Sequence, residues 1–219
     1  MEDNIGKIMF GVPRRAYHKG IYMAAASSST ALISAALPEK GATRLATQLL
    51  LAVAGSLLLI ASAKTKVVLG PVDMSLQTLA VLGIGAAYGL RLGVATLLLY
   101  MAQGAMGYPV FQSTPEKGIG ITYMLGSTGG YLLGFVAMAA IVGWAVDRGW
   151  GRSIVKMLGA MLVAEVVMMA LGFSWLSLLI GVEKSWQFGV VPFIVPDLIK
   201  VALAAAAVPA IWALLPKKG

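Results

Sequence analysis

The chain has 219 residues, 59% of them hydrophobic and only 12% charged, with a mean hydropathy of +0.86. Soluble domains run at about 45–50% apolar and about 25% charged residues, so this composition cannot coat a water-exposed surface and points to a single membrane domain. The formal charge of +8 does not signal nucleic acid binding, because the basic residues sit between apolar runs rather than in a stripe with interleaved aromatics. The absence of cysteine excludes disulfides, zinc thiolates and thiol nucleophiles.

Residues 1–43 read as a mobile, basic cytoplasmic leader. Lys7, Arg14, Arg15 and Lys19 are spread out and the 23–36 stretch is only mildly apolar, which is not the layout of a signal peptide; Met23 is an alternative start. The single histidine, His18, lies in this leader, leaving little room for His-based catalysis or metal binding. Residues 44–216 form the substrate-binding domain. Its apolar runs, 45–63, 76–89, 92–107, 129–146, 154–173 and 196–215, predict an all-α bundle of six transmembrane helices. The second and third are about 22 Å long at 1.5 Å per residue, so the loops after Ala63 and Gly107 are expected to dip into the membrane. With both termini cytoplasmic, the inner segments hold 12 Lys and Arg residues and the outer loops four, Lys64, Lys66, Lys117 and Lys184. The positive-inside rule favours this orientation and a multi-pass location in the cell inner membrane. Gly85, Gly89 and Gly93, Gly130 and Gly134, and Ala52 and Ser56 form small-xxx-small pairs suited to close helix packing. No repeat of 20–50 residues is visible.

The unusual residues gather on the outer side. Four segments rich in polar, aromatic, Pro or Gly residues converge there: 71–77, containing Asp73 and Gln77; 108–112, containing Tyr108, Phe111 and Gln112; 126–131, containing Ser127 and Tyr131; and 191–197, containing Phe193 and Asp197. The inner connections are short and basic. This asymmetry points to an outward-facing pocket whose specificity lies in loops. The aromatics among these residues fit a pocket lining or the interfacial belt; for Trp144, Trp150, Trp175, Trp186 and Trp212 the belt is the simpler reading.

Asp197 and Lys200 are the sharpest pair. Three residues apart, they share a helix face, and Pro196 fits a first helical turn, which would set Asp197 at the positive end of a helix dipole. A charge at bilayer depth costs about 3 kcal/mol on insertion scales. The pair is either a polar clamp for a neutral ligand group or a structural ion pair at the helix mouth. Glu165, midway along the fifth run, is either a structural interhelical hydrogen-bonding group or part of a proton relay. No GxSxG elbow, HExxH or Walker A sequence is present. Nothing argues for an enzyme or an ATPase, and no cofactor or metal is expected.

Several stretches resemble the BioY family, the biotin-specific S components of energy-coupling factor transporters. They are Gly55-Ser56-Leu57-Leu58, the 71–79 segment, Tyr100, Gly104-Ala105-Met106-Gly107-Tyr108-Pro109-Val110-Phe111, the 126–135 segment with its Gly-Gly-Tyr-Leu-x-Gly-Phe run, and the 192–200 segment ending Pro-x-Asp-x-x-Lys. The family's Pro-Val-Pro is Pro-Val-Asp73 here, and its Gly-Pro-Thr is Gly-Ser127-Thr. The resemblance implies a six-helix subunit that captures biotin from outside, with Asp197 and Lys200 on the ureido ring and Gln112 or Ser113 near the carboxylate tail. Gln77, Tyr108, Phe111, Tyr131 and Phe193 would complete the site. The implied partners are a transmembrane coupling protein and two ATPase subunits, docking through small residues of the first helix such as Ala52 and Ser56. The competing readings are a stand-alone proton-coupled carrier or channel using Glu165, and, further off, an intramembrane enzyme.

Overall fold

The computed structural model describes residues 31–35, 41–68 and 73–214. Most of the leader, Pro71, Val72 and the C-terminal Lys217 and Lys218 lie outside the described residues. Helices dominate: α1 (Ala42–Lys64), α2 (Gln77–Ala105), α3 (Gly120–Met124), α4 (Gly129–Asp147), α5 (Ile154–Ile180), α6 (Val182–Ser185) and α7 (Val191–Leu214). A π-helical turn, Trp186–Val190, joins α6 to α7. A small antiparallel hairpin pairs β1 (Lys66–Val68) with β2 (Asp73–Ser75), Val67 opposite Met74. Among the described residues five helical rods are long and apolar enough to cross a membrane: α1, α2, α4, α5 and the continuous stretch Val182–Ile211.

The second rod is not straight. Gly89 has φ 74° and ψ −175°, a left-handed-side conformation in which any Cβ is strained. The chain doubles back there. Gln77 Nε2 lies 2.9 Å from the Tyr100 hydroxyl, whereas 23 residues of straight helix would hold them about 34 Å apart. The reversal therefore falls at Gly89, the last residue of the 76–89 run, and helix resumes at once. It needs no loop because Asp147 Oδ2 accepts the Leu90 N–H at 3.0 Å, satisfying one of the orphan donors of a helix start. Ala31 is fully buried beside this turn, so a short piece of the expected leader packs on the bundle.

Close approach of helices is set by small residues. Gly85 meets Ala139 and Val142 of α4, and Gly93 meets Gly85 across the reversal. Gly130 and Gly134 lie against α5 at Leu171, Trp175 and Met168. Ala52 and Ser56 of α1 are buried too, Ser56 donating to Gln103 Oε1 at 2.9 Å. This matches their reading as a close-packing pair and corrects the docking role that the resemblance implied for them. They face the bundle, and the outward face of α1 carries Leu45, Leu49, Leu50, Val53, Leu57 and Leu58 instead.

The last rod also differs from expectation. Helix is already running from Val191, and in the wider turn and α6 before it, so Pro196 and Pro209 lie inside the helix. Asp197 is then two turns into α7 and gains nothing from a helix N-terminus. Pro196 instead leaves the Pro192 carbonyl without its intrahelical donor.

Gly143 packs directly on the reversal, where an added Cβ would stand 2.6 Å from Gly89 C and Leu90 N. Backbone cannot yield as a side chain can. Gly143→Ala is expected to cost about 1–3 kcal/mol, read as a lowered thermal midpoint of the detergent-solubilised protein. Gly159→Ala on α5 meets nothing within 4 Å and should raise the midpoint slightly through helix propensity.

Candidate functional site

Among the described residues, the irregular segments other than the 31–35 piece and the Gly89 and 148–153 turns lie at one end of the bundle, where α1 ends, α2 begins and ends, α4 begins and α5 ends. Their backbone groups must find partners without water, and side chains supply them. Lys64 Nζ, at the end of α1, donates to the carbonyls of Phe111 and Thr114 at 2.9 and 2.7 Å. The Tyr100 hydroxyl donates to the Val110 carbonyl at 3.1 Å, and the Tyr123 hydroxyl to that of Gln112 at 2.8 Å. Trp175 Nε1 donates to the Gly126 carbonyl at 2.8 Å, and the Tyr131 hydroxyl to that of Gly189, in the π-helical turn, at 2.7 Å. Burial raises the Tyr123 hydroxyl above its usual value, so it stays a donor at neutral pH.

The 108–119 loop is thereby drawn into the bundle end rather than lying over it. Phe111 is 1% exposed, edge-on to Tyr100 at 5.3 Å and stacked on Tyr123 at 5.0 Å. The backbone of Gly104 gives it room.

These elements enclose a cavity of about 370 Å³, within the usual size range of small-molecule sites, about 300–1,000 Å³. Position along the helices gives its depth. Leu176 and Ile180 lie near the end of α5, and Phe188 and Gly189 in the turn before α7, so these mark the mouth. Asp197 and Lys200 lie eight and eleven residues beyond Gly189, about 12 and 17 Å deeper. Met168 and Met169 reach a similar depth on α5. The wall between is aromatic and apolar: Phe111, Tyr123, Tyr131, Leu132, Phe135 and Phe193.

The floor holds the one feature that a greasy bundle does not need. Lys200 Nζ donates to Asp197 Oδ1 at 2.7 Å, with Asp197 2% and Lys200 6% exposed. Three residues apart on one helix, the two side chains can meet without distorting the backbone, and each removes the cost of burying the other as a lone charge. Behind them on α5 is Glu165, buried and within electrostatic reach of both Asp197 and Lys200. It does not line the cavity.

Seven of the eight side chains singled out from the sequence line this cavity: Gln77, Phe111, Gln112, Tyr131, Phe193, Asp197 and Lys200. Gln77 faces it with its Nε2 engaged by Tyr100. The eighth, Tyr108, is placed elsewhere. It is 59% exposed and outside the lining, because Phe111 occupies the buried position of that loop. Thr78, Lys117, Tyr123, Thr128, Phe135, Met168 and Met169 also line the cavity; Thr128 lay inside a flagged segment and Thr78 and Phe135 inside stretches that carry the resemblance, while the others carried no local signal. No group of three metal-ligating side chains gathers among the described residues.

Five apolar rods, four of which line a cavity with a polar floor, define a multi-pass membrane protein built to hold a small molecule. The profile of the BioY family matches residues 25–217, and the chain belongs to that family, a family of transport subunits and not of enzymes. It is 36% identical over 142 residues to a probable biotin transporter BioY of Pyrococcus horikoshii, covering 65% of this chain and 82% of the relative. It is 33% identical to the biotin transporter BioY of Thermotoga maritima, covering 68% and 85%. The fold matches the crystal structure of the S-component for biotin from an ECF-type ABC transporter with a TM-score of 0.68 at 18% identity, over 80% of this chain and 96% of that one.

The buried pair makes a stability prediction independent of any ligand. Lys200→Met strands Asp197 as an uncompensated charge and should cost about 3–5 kcal/mol. The double variant Asp197→Leu with Lys200→Met should recover most of that loss, as followed by thermal unfolding in detergent.

Proposed function

We propose that this chain is the biotin-capturing subunit of a vitamin uptake transporter, taking biotin from the outer side of the membrane. The observation that carries this reading is the Asp197–Lys200 pair at the floor of a cavity whose wall above it is aromatic and apolar. A cyclic urea presents N–H donors beside a carbonyl acceptor. Asp197 can accept from the former and Lys200 can donate to the latter, so one neutral ring answers both charges and leaves neither unpaired. Gln77, Phe111, Gln112, Tyr131 and Phe193 would surround the rest of the ligand, whose apolar parts suit the aromatic wall. Tyr108, exposed on the rim, has no assigned contact in this reading. The names of the relatives point to the same ligand.

The two halves of α2, residues 77–88 and 90–105, count as separate crossings in this reading, giving six with both ends on one side. The distribution of basic residues along the sequence supports placing the Gly89 end in the cytoplasm, the cavity mouth outward and the protein in the cell inner membrane. Partners are a transmembrane coupling protein and two ATPase subunits, since the chain carries no nucleotide-binding sequence of its own. Residues 44–216 would form the binding domain and the basic leader a separate cytoplasmic segment.

The position of buried Glu165 beside the pair is what favours the second reading, a stand-alone proton-coupled carrier. Isothermal titration with biotin and a panel of other vitamins separates the two. The parent protein should bind biotin saturably, and Asp197→Asn or Lys200→Ala should weaken it at least about ten-fold, in line with loss of a hydrogen bond to a charged group. Undiminished binding in both variants would remove the clamp. Uptake abolished by Glu165→Gln with binding intact would favour the carrier.

A further inference from the structure

No residue of α1 lines the cavity, and α1 is the least buried of the five rods. One side chain nevertheless ties its C-terminal end to the cavity wall. Lys64 Nζ donates to the Phe111 carbonyl at 2.9 Å, to the Thr114 carbonyl at 2.7 Å and to the Thr114 hydroxyl at 2.9 Å. The Thr114 hydroxyl in turn donates to the Phe111 carbonyl at 2.6 Å. Ammonium, hydroxyl and two carbonyls thus form one closed knot. Thr114 is 5% exposed, so its polar groups have little water to fall back on once the ammonium is gone.

The knot sits where two wall segments meet. Just after Lys64 the chain runs into β1, whose partner β2 leads on to Ser75, Gln77 and Thr78 of the lining. Across from it, the 111–114 segment delivers the Phe111 ring to the wall, edge-on to Tyr100 and stacked on Tyr123. That ring keeps its place only while its own backbone is held. We propose that Lys64 is a positioning residue for ligand retention: it clasps the Phe111–Thr114 backbone to the end of α1 and so fixes the aromatic wall beside the ligand. This rests on the reading of the cavity as a biotin site, and it concerns how long the ligand stays rather than which of its groups is recognised. Lys64 is absent from the lining and acts through Phe111. A departing ligand must displace the wall, so unclasping raises the rate of departure far more than it changes the rate of entry.

The test exploits the absence of cysteine from the chain. In Lys64→Cys the introduced thiol is the single site for an alkylating reagent. Reaction with 2-bromoethylamine rebuilds an ammonium at the reach of lysine, with sulfur in place of one methylene, whereas ethylation rebuilds the stem without the charge. Labelled biotin should leave the full-length, detergent-solubilised Lys64→Cys protein about ten-fold faster than the parent, the scale of losing hydrogen bonds from a charged donor, with association little changed. Aminoethylation should restore slow dissociation and ethylation should not. Thr114→Val removes the hydroxyl from the knot without touching the lining and should also speed dissociation; it gives the same reading if Lys64→Cys does not fold. Combined with Lys64→Cys it should add nothing further, because both break one knot. Unchanged dissociation in either single variant, recovery on ethylation, or no recovery on aminoethylation overturns the assignment. So do additive effects of the two substitutions, which would make Lys64 a contact of the ligand itself. Should the parent fail to bind biotin saturably, the biotin reading and the clasp fall together. Should it bind in a manner sensitive to Asp197→Asn while the Lys64 and Thr114 variants match the parent, only the clasp falls.

Discussion

The constraint on which this structure depends is that a backbone group inside a bilayer must be hydrogen-bonded from within the protein. Straight helices meet it automatically, but a binding cavity needs chain that turns. The protein solves this by giving each turn a dedicated side-chain partner. Asp147 serves the reversal at Gly89. Lys64, Tyr100, Tyr123, Trp175 and Tyr131 serve the segments around the cavity. Several of these residues read from sequence as lining or as an interfacial belt. Their hydroxyls and ring N–H groups hold the walls in place, and their rings then form the walls.

The same constraint explains the floor. An isolated carboxylate or ammonium cannot be kept dry, so the two charges come as a neighbouring pair on one helix. Because α7 runs through Pro196 rather than starting there, the pair has no helix-terminus field to rest on, and each charge depends on the other. That dependence makes the pair answer to any neutral group able to insert between them.

How far the sequence could be read follows from the range of the interactions. Apolar runs located each of the five membrane-length rods, two of the runs falling on the one that is broken at Gly89, because hydrophobic length is local. Asp197 and Lys200 could be paired because the spacing i, i+3 fixes their relation on any helix. Gln77, Phe111, Gln112, Tyr131 and Phe193 came to notice as irregular polar and aromatic segments at one end. The start of the last helix was misplaced because Pro192 and Pro196 look like a boundary, while the π-helical turn Trp186–Val190 lets helix pass through them. Spacing marked Ala52 and Ser56 as a close-packing pair, and the docking role came from the resemblance alone, because spacing does not say which neighbour a small face meets. Lys117, Met168 and Met169 carried nothing local, since only the folded bundle brings them to the cavity.

The reversal at Gly89 has a consequence for the lipid around the protein. The two arms of α2 are about 18 and 24 Å long, against about 40 Å for α5 and a hydrocarbon core of about 30 Å. One flank of the bundle is thinner than the membrane and another is thicker. Mismatch of this kind is relieved by local thinning of lipid and by tilting of the long helix, at fractions of a kcal/mol per Å. Short arms on one flank and a long rod on the other leave the tilt to helix packing and interfacial anchors, with lipid adjusting to each flank in turn.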